Sequence, residues 1–339
     1  MPSLTDVYSR HAHFIERYKT GQYNKLKAFL DKIIKGLSDE LLKTQSVISQ
    51  TRIDDKLKLV EAMVKKELSE FNDQFENQLR LFAESEVDFG LESIKRLLSG
   101  KALRPSKIQL WSAVTARPFN NKLLKDSLKE FTVIQARMVR DAVSTGFFEG
   151  KSTQEIVRGI VGTRINNYKD GVLQITRSSA SRLIRTSINH TASTAKDRLY
   201  QENSDSIKYY EWISTLDSRT SLTCMSLDGR IFKVGKGKLP PAHFNCRSTT
   251  SPLFKDDIKM VNGFPEKIKK GIEKNYQNYN DWLGKQAKTF QIEALGPNRA
   301  ALFRKGGLSV DKFTDRLDAP LNLAELKAKY PLAWEKSGI

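Results

Sequence analysis

Apolar residues recur at helical spacing near the start of the chain: Tyr23, Leu26, Phe29, Leu30, Ile33, Ile34 and Leu37. A longer stripe follows in steps of three or four, through Ile53, Leu57, Val60, Val64, Leu68, Phe71, Phe75, Leu79 and Phe82. Asp54, Lys58, Glu61, Lys65, Glu70, Asp73 and Glu76 fall between them as a solvated face. This period predicts helices over residues 4 to 100. The stripe is long enough for a bundle or coiled-coil-like helix, packed internally or against another subunit. Gly90, after Asp88-Phe89, is the predicted helix stop.

Small residues and a proline from Ser99-Gly100 to Pro105 mark a boundary, and Ala116-Arg117-Pro118 a second break. A helix is predicted from Asn121 to Phe148, with Leu124, Leu128, Phe131, Ile134 and Met138 on one face. Lys125, Lys129, Arg137 and Arg140 make its charged side basic. A turn around Gly146 to Gly150 leads into another helix, with Ser152 or Thr153 as its cap and Glu155 at the positive end of its dipole. Thr176 to Glu202 reads as a further helix. It presents Arg177, Arg182 and Arg185, and an apolar side of Ile184, Ile188, Ala192, Ala195 and Leu199. His190, within it, reads as a packing or surface residue.

The pattern then shortens. Tyr209 to Ile213 and Arg230 to Val234 have the aromatic and β-branched character of strands, with the turn dipeptide Asp228-Gly229 before the second. Cys246 to Ser251 is a third predicted strand, halted by Pro252. Helical character resumes from Pro265 to Trp282, where Tyr276, Tyr279 and Trp282 share a face. Trp282 and Phe290 are expected to anchor this tail on the core. The fold class is therefore α+β, mainly helical with a small antiparallel β-sheet core. Its expected segments are an N-terminal helical arm (1–100), a basic helical region (101–206), a β core with a Cys/His loop (207–254) and a C-terminal helical tail (255–339).

Charge sharpens this picture. The 339-residue chain carries a formal net charge of +18. Lys101 to Arg185 alone contains 16 Lys or Arg against 6 Asp or Glu, or +10 of the total. Such a concentration attracts a polyanion through counterion release, or else serves solubility or an acidic protein partner. Lys125, Lys129, Arg137, Arg140, Arg177, Arg182 and Arg185 are the candidate contacts to double-stranded DNA, without sequence preference. No apolar run approaches bilayer length and the N-terminus lacks a signal-peptide layout, so a cytosolic site of synthesis and use is expected.

Both cysteines of the chain lie in one stretch with a histidine: Cys224, then His243 and Cys246 after Pro240-Pro241. Thiolates and imidazole are ligands that tetrahedral zinc prefers. The same residues also suit two reduced thiols packed as small hydrophobes, or a disulfide. Ser221 stands where a thiol would complete Cys-x-x-Cys with Cys224. Asp217 and Asp228 beside His243 suggest a Mg²⁺-dependent nuclease as the enzymatic alternative, though an Asp before a turn usually caps its backbone. Gly146 to Ser152 and Gly229 to Gly235 both miss the spacing of a phosphate-binding loop, and no His-Glu-x-x-His occurs.

Trp212, Asp217, Arg219, Thr220, Cys224, Leu227-Asp228-Gly229, Pro241-Ala242-His243, and Cys246-Arg247 together resemble the core of the phage Mu F-like minor head proteins, or head morphogenesis proteins. The resemblance extends from about Gly146 to the neighbourhood of Pro252. That family often has a cysteine at the position of Ser221. Arg185 to Asn189 resembles the helix preceding the family core, with Ser187 in place of an acid. The resemblance implies a non-enzymatic component of a tailed-phage virion, assembled in the host cytoplasm. Its implied partners are the portal and the major capsid or scaffold protein, and its implied roles are head assembly, DNA packaging or ejection. No cofactor is implied beyond a candidate structural zinc.

Overall fold

The computed structural model describes residues 3–42, 50–95, 97–98, 101–261, 264–267 and 278–339. Among them are twelve α-helices, a three-stranded antiparallel sheet and a two-stranded hairpin, so the fold is α+β and mainly helical. The first two helices are long, α1 (Leu4–Leu42) and α2 (Gln50–Lys95). Leu57, Val60, Val64, Leu68, Phe71, Phe75, Leu79 and Phe82 of the predicted stripe are all buried, with Ile53 half-buried at its start. Gly90 does not stop α2. An added Cβ there would lie 2.4 Å from Leu199 Cδ2, so the glycine serves close helix packing inside the helix rather than its end. The predicted boundary at Ser99-Gly100 lies outside the described residues.

The chain divides into two compact units. One comprises residues 17–83 and 111–191, the other residues 1–16, 84–110 and 192–339. Helix α3 (Lys107–Ala116) ends at the expected break before Pro118. In the first unit, α4 (Leu124–Phe148) buries Leu124, Leu128, Phe131, Gln135, Val139 and Val143. Ile134, predicted on that face, is exposed, and Met138 is only half-buried. Steps of four from Leu124 to Leu128, and from Phe131 through Gln135 and Val139 to Val143, keep the buried residues on one side. A buried polar Gln135 hid that register from an apolar count. Ser152 caps α5 (Thr153–Val161) in a reciprocal box with Glu155, as the sequence indicates. In the portion of α6 (Val172–Glu202) within this unit, His190 is buried and its Nε2 donates to the Val114 carbonyl at 2.9 Å.

In the second unit, β1 (Ile207–Ile213) is the central strand between β2 (Ile231–Lys233) and β3 (Thr249–Phe254). Tyr210 pairs with Phe232 on one side and Pro252 on the other, and Trp212 with Thr250. The third strand therefore starts later than Cys246 and runs through Pro252. Because β3 is at the edge of this sheet, proline's missing N–H is tolerated there. A short hairpin, β4 (Ile258–Val261) and β5 (Phe264–Lys267), follows. Pro265, expected to begin a helix, is in β5. Among the described residues of that stretch the helix is α8 (Tyr279–Gly284), and residues 268–277 lie outside the described residues.

Four more helices complete the tail: α9 (Lys288–Leu295), α10 (Pro297–Arg304), α11 (Leu323–Lys329) and α12 (Pro331–Ser337). Tyr279, Leu283, Leu295, Leu302, Phe313 and Leu326 form their core, which takes in Met225 from the β region. Trp282 and Phe290 pack against this cluster and meet each other edge-to-face, their ring centroids 5.4 Å apart. Among the described residues no helix is long and apolar enough to cross a membrane.

A charged network missed in the sequence is buried in the same unit. Lys196 Nζ on α6 donates to Thr249 Oγ1 at 2.8 Å and lies 3.3 Å from a Glu86 oxygen. His11 Nε2 is 2.6 Å from the other Glu86 oxygen. Burial alone would push the Glu86 carboxyl upward, but Lys196 and His11 hold it below the ordinary carboxylate range.

Candidate functional site

Two turns off the central strand bring Cys224, His243 and Cys246 together. Trp212 is fully buried at the end of β1 and packs with Cys224, Leu227 and Cys246. Beyond it, Ser214 Oγ donates to the Cys224 carbonyl at 2.7 Å and accepts from Trp212 Nε1 at 3.1 Å. Ser221 caps the short helix α7 (Leu222–Leu227), its Oγ accepting from Cys224 N at 3.2 Å. Cys224 is thus fixed in the first turn of α7. Gly229, at φ +77°, then reverses the chain into β2.

The second turn is His243-Phe244-Asn245-Cys246, where Cys246 N donates to the His243 carbonyl at 3.2 Å. Asn245 takes the left-handed conformation (φ +59°) that this tight return requires and that Asn tolerates better than most residues. The ligand atoms of Cys224, His243 and Cys246 all lie within 4.8 Å of one another. Cys224 Sγ is 3.1 Å from His243 Nε2 and 3.7 Å from Cys246 Sγ. His243 Nδ1 is 2.8 Å from the Phe244 carbonyl, which can only accept, so Nδ1 carries the proton and Nε2 offers its lone pair to the cluster. Ser221 Oγ is 2.8 Å from the same Nε2.

The two thiols behave as a pair. The hydrogen bond with Cys246 pulls the Cys224 thiol below the usual thiol range, against its burial. Burial and the neighbouring sulfur then hold Cys246 well above it. This pairing suits thiolate ligation. The thiols are free and no disulfide joins them.

Neither candidate nuclease carboxylate joins this group. Asp217 receives both Nη atoms of Arg247, at 2.5 and 2.6 Å, and the Arg219 backbone N–H at 3.0 Å. Burial pushes the Asp217 carboxyl up, but Arg247 holds it below the ordinary carboxylate range. Asp228 accepts from the backbone N–H groups of Ser214 and Tyr279, the latter at 2.7 Å, and burial pushes its carboxyl up to about 7. Both acids therefore bind backbone, as the turn chemistry suggests. Sequence reasoning missed the fork between Arg247 and Asp217, although both residues stand in the motif. It also missed Asp318, which the tail brings to Arg230 and Lys238.

The seven candidate DNA contacts belong to the other unit. Lys125, Lys129, Arg137 and Arg182 are exposed, while Arg140, Arg177 and Arg185 are half-buried. On α4 the basic residues lie away from the face of Leu124, Leu128 and Phe131, as expected. Arg140 is within 4 Å of Glu61 and Asp141 (3.8 and 3.9 Å), which reduces its charge toward an outside partner.

One curated relative, the NAD(+)--arginine ADP-ribosyltransferase EFV of Enterococcus faecalis (strain ATCC 700802 / V583), is 28% identical over 186 residues. These are 49% of this chain but only 35% of that protein's length. No solved structure matches. Residues 137–251 match the family described as phage Mu protein F like, starting slightly before and ending almost where the motifs do. That match contains Cys224, His243, Cys246 and the Asp217–Arg247 fork, and over residues 137–251 the chain carries a domain similar to phage Mu protein F-like proteins.

Proposed function

We propose that the protein is a minor head component of a tailed phage, carried in the virion and associated with the portal. Its partners in this reading are the portal, the major capsid or scaffold protein, and double-stranded DNA bound without sequence preference. It acts during head assembly, packaging or the start of ejection, and it is assembled in the host cytoplasm. The observation that carries the reading is the family match over residues 137–251, within which the Trp212 core and both turns keep the motif's spacing. The exposed Lys125, Lys129, Arg137 and Arg182 support the DNA contact, since exposed cations can release condensed counterions from phosphate.

Titration of labelled duplex at several salt concentrations tests the DNA contact. Affinity is expected to fall steeply with salt. Replacing Lys125, Lys129, Arg137 and Arg182 together by Ser should flatten the log–log slope by up to about 3–4, at roughly 0.9 per phosphate contact. Binding that ignores salt, or that survives this replacement unchanged, would refute the contact. The non-enzymatic reading is tested by incubating the full chain with DNA and Mg²⁺, Mn²⁺ or Zn²⁺, and separately with NAD⁺ and an arginine acceptor. DNA and acceptor are expected to remain intact. Cleavage abolished by His243→Ala in folded protein would establish the nuclease alternative.

A further inference from the structure

We propose that Cys224, His243 and Cys246 hold a zinc ion whose fourth ligand is a water kept in place by the Ser221 hydroxyl. The site stands on its own geometry and does not depend on the head-protein reading.

Four observations converge on it. The first is the separation of the ligand atoms. Tetrahedral zinc with Zn–S of about 2.3 Å and Zn–N of about 2.0–2.1 Å places two thiolates about 3.8 Å apart, and a thiolate about 3.6 Å from an imidazole nitrogen. The sulfurs here are 3.7 Å apart, and Cys224 Sγ is 3.1 Å from His243 Nε2. A swing of the half-buried imidazole by a few tenths of an ångström makes room for the ion. Two sulfurs joined in a disulfide would instead be separated by about 2.0 Å.

The second observation is the histidine's orientation. Its Nδ1–H is held by the Phe244 carbonyl, the outer hydrogen bond that metal-bound imidazoles usually make, and this aims the Nε2 lone pair at the sulfurs. The third is rigidity. Each ligand is fixed by backbone before any ion arrives: Cys224 by the Ser221 cap and the Ser214 hydrogen bond, His243 and Cys246 by the Asn245 turn.

The fourth concerns the remaining corner. Ser221 Oγ lies 2.8 Å from Nε2 and caps the helix bearing Cys224, and Ser221 lines a small pocket together with Thr215, Arg219, Asn245 and Arg247. A serine hydroxyl is a poor ligand for zinc but a good partner for a bound water. Three protein ligands and one water leave an exchangeable position facing that pocket. The charge balance is simple: Zn²⁺ takes the places of the two thiol protons, which pass to solvent, and neutral imidazole gives a lone pair. The bound centre carries no net charge, as its burial requires.

The test uses the full chain purified without chelator under reducing conditions. Elemental analysis should find one zinc per chain, lost in Cys246→Ser and in His243→Ala. Replacement by Co²⁺ should give a thiolate-to-cobalt charge-transfer band in the folded wild-type protein. Ser221→Cys, which supplies a fourth thiolate at the open corner, should slow zinc release to a chelator by roughly tenfold or more, the scale on which changes around a metal alter its affinity. Folded wild-type protein that binds neither zinc nor cobalt, or that holds a Cys224–Cys246 disulfide, would overturn the site. Zinc release that Ser221→Cys leaves unchanged would overturn the assignment of the fourth position.

Discussion

Lys196 and Glu86 have lost essentially all contact with water, and Lys196 is the larger of the two neighbouring charges that hold the Glu86 carboxylate, His11 being the other. Removing one partner leaves a charge stranded. Lys196→Met should therefore destabilise the protein by about 3–5 kcal/mol in chemical denaturation. The double replacement Glu86→Leu with Lys196→Met should recover much of that loss, because neither charge of the pair then remains to be desolvated. A double variant as unstable as the single one would show that packing, not charge, is at stake. The network could not be read in the sequence, because Glu86 and Lys196 look like ordinary solvated residues on helical faces and are 110 positions apart. Cys224, His243 and Cys246 were legible as a group because types that ligate metals stand close together in a loop-rich stretch. Arg247 was visible but without a role: an arginine names no partner until the chain folds Asp217 against it.

Helices are where periodicity spoke most clearly, and their glycines where it misled. The long stripe of α2 predicted its buried face almost residue by residue, since a repeating step of three or four leaves little freedom. Gly90 carried the same residue type as a helix end but serves a close approach to Leu199. Gly90→Ala weighs two effects. Alanine gains about 1 kcal/mol of helix propensity. Against this, its Cβ would sit 2.4 Å from a fully buried leucine methyl, and such overpacking typically costs about 1–3 kcal/mol. Net destabilisation is expected, measurable as a lower denaturation midpoint, and relief should follow from Leu199→Ala in the same chain. Stabilisation by Gly90→Ala alone would mean that the helices adjust freely there. The edge strand shows the converse: Pro252 was read as a stop because its place at the sheet's edge is a property of topology, invisible in a local window.

At the scale of the whole chain, the two compact units should answer pH in opposite senses. Asp228 has a folded-state pKa of about 7, above the ~3.9 of an unfolded aspartate. Its stabilising contribution is full below about pH 4 and is lost as pH rises through 7. His190 is depressed by burial to about 4, from 6.5. Its contribution is full above pH 6.5 and is lost as pH falls through 4. Hydrogen exchange at pH 5 and pH 7.5, corrected for intrinsic rates, should find β1 better protected at the lower pH and the stretch of α6 around His190 better protected at the higher. Both segments moving together would refute the opposition.

The stretch shared with phage Mu protein F-like proteins stops at residue 251, but the bonds that seat it continue past that point. Thr223 Oγ1 donates to the Asp318 carbonyl, Arg230 and Lys238 close on the Asp318 carboxylate, and Asp228 accepts from Tyr279. Met225 meanwhile belongs to the tail's apolar cluster. A recombination event that exchanged only the shared stretch between two genomes would leave the buried Asp318 carboxylate without its two cations and bare a methionine. The heritable module is therefore longer than the recognisable one, and tail sequences should travel with the cores they cover.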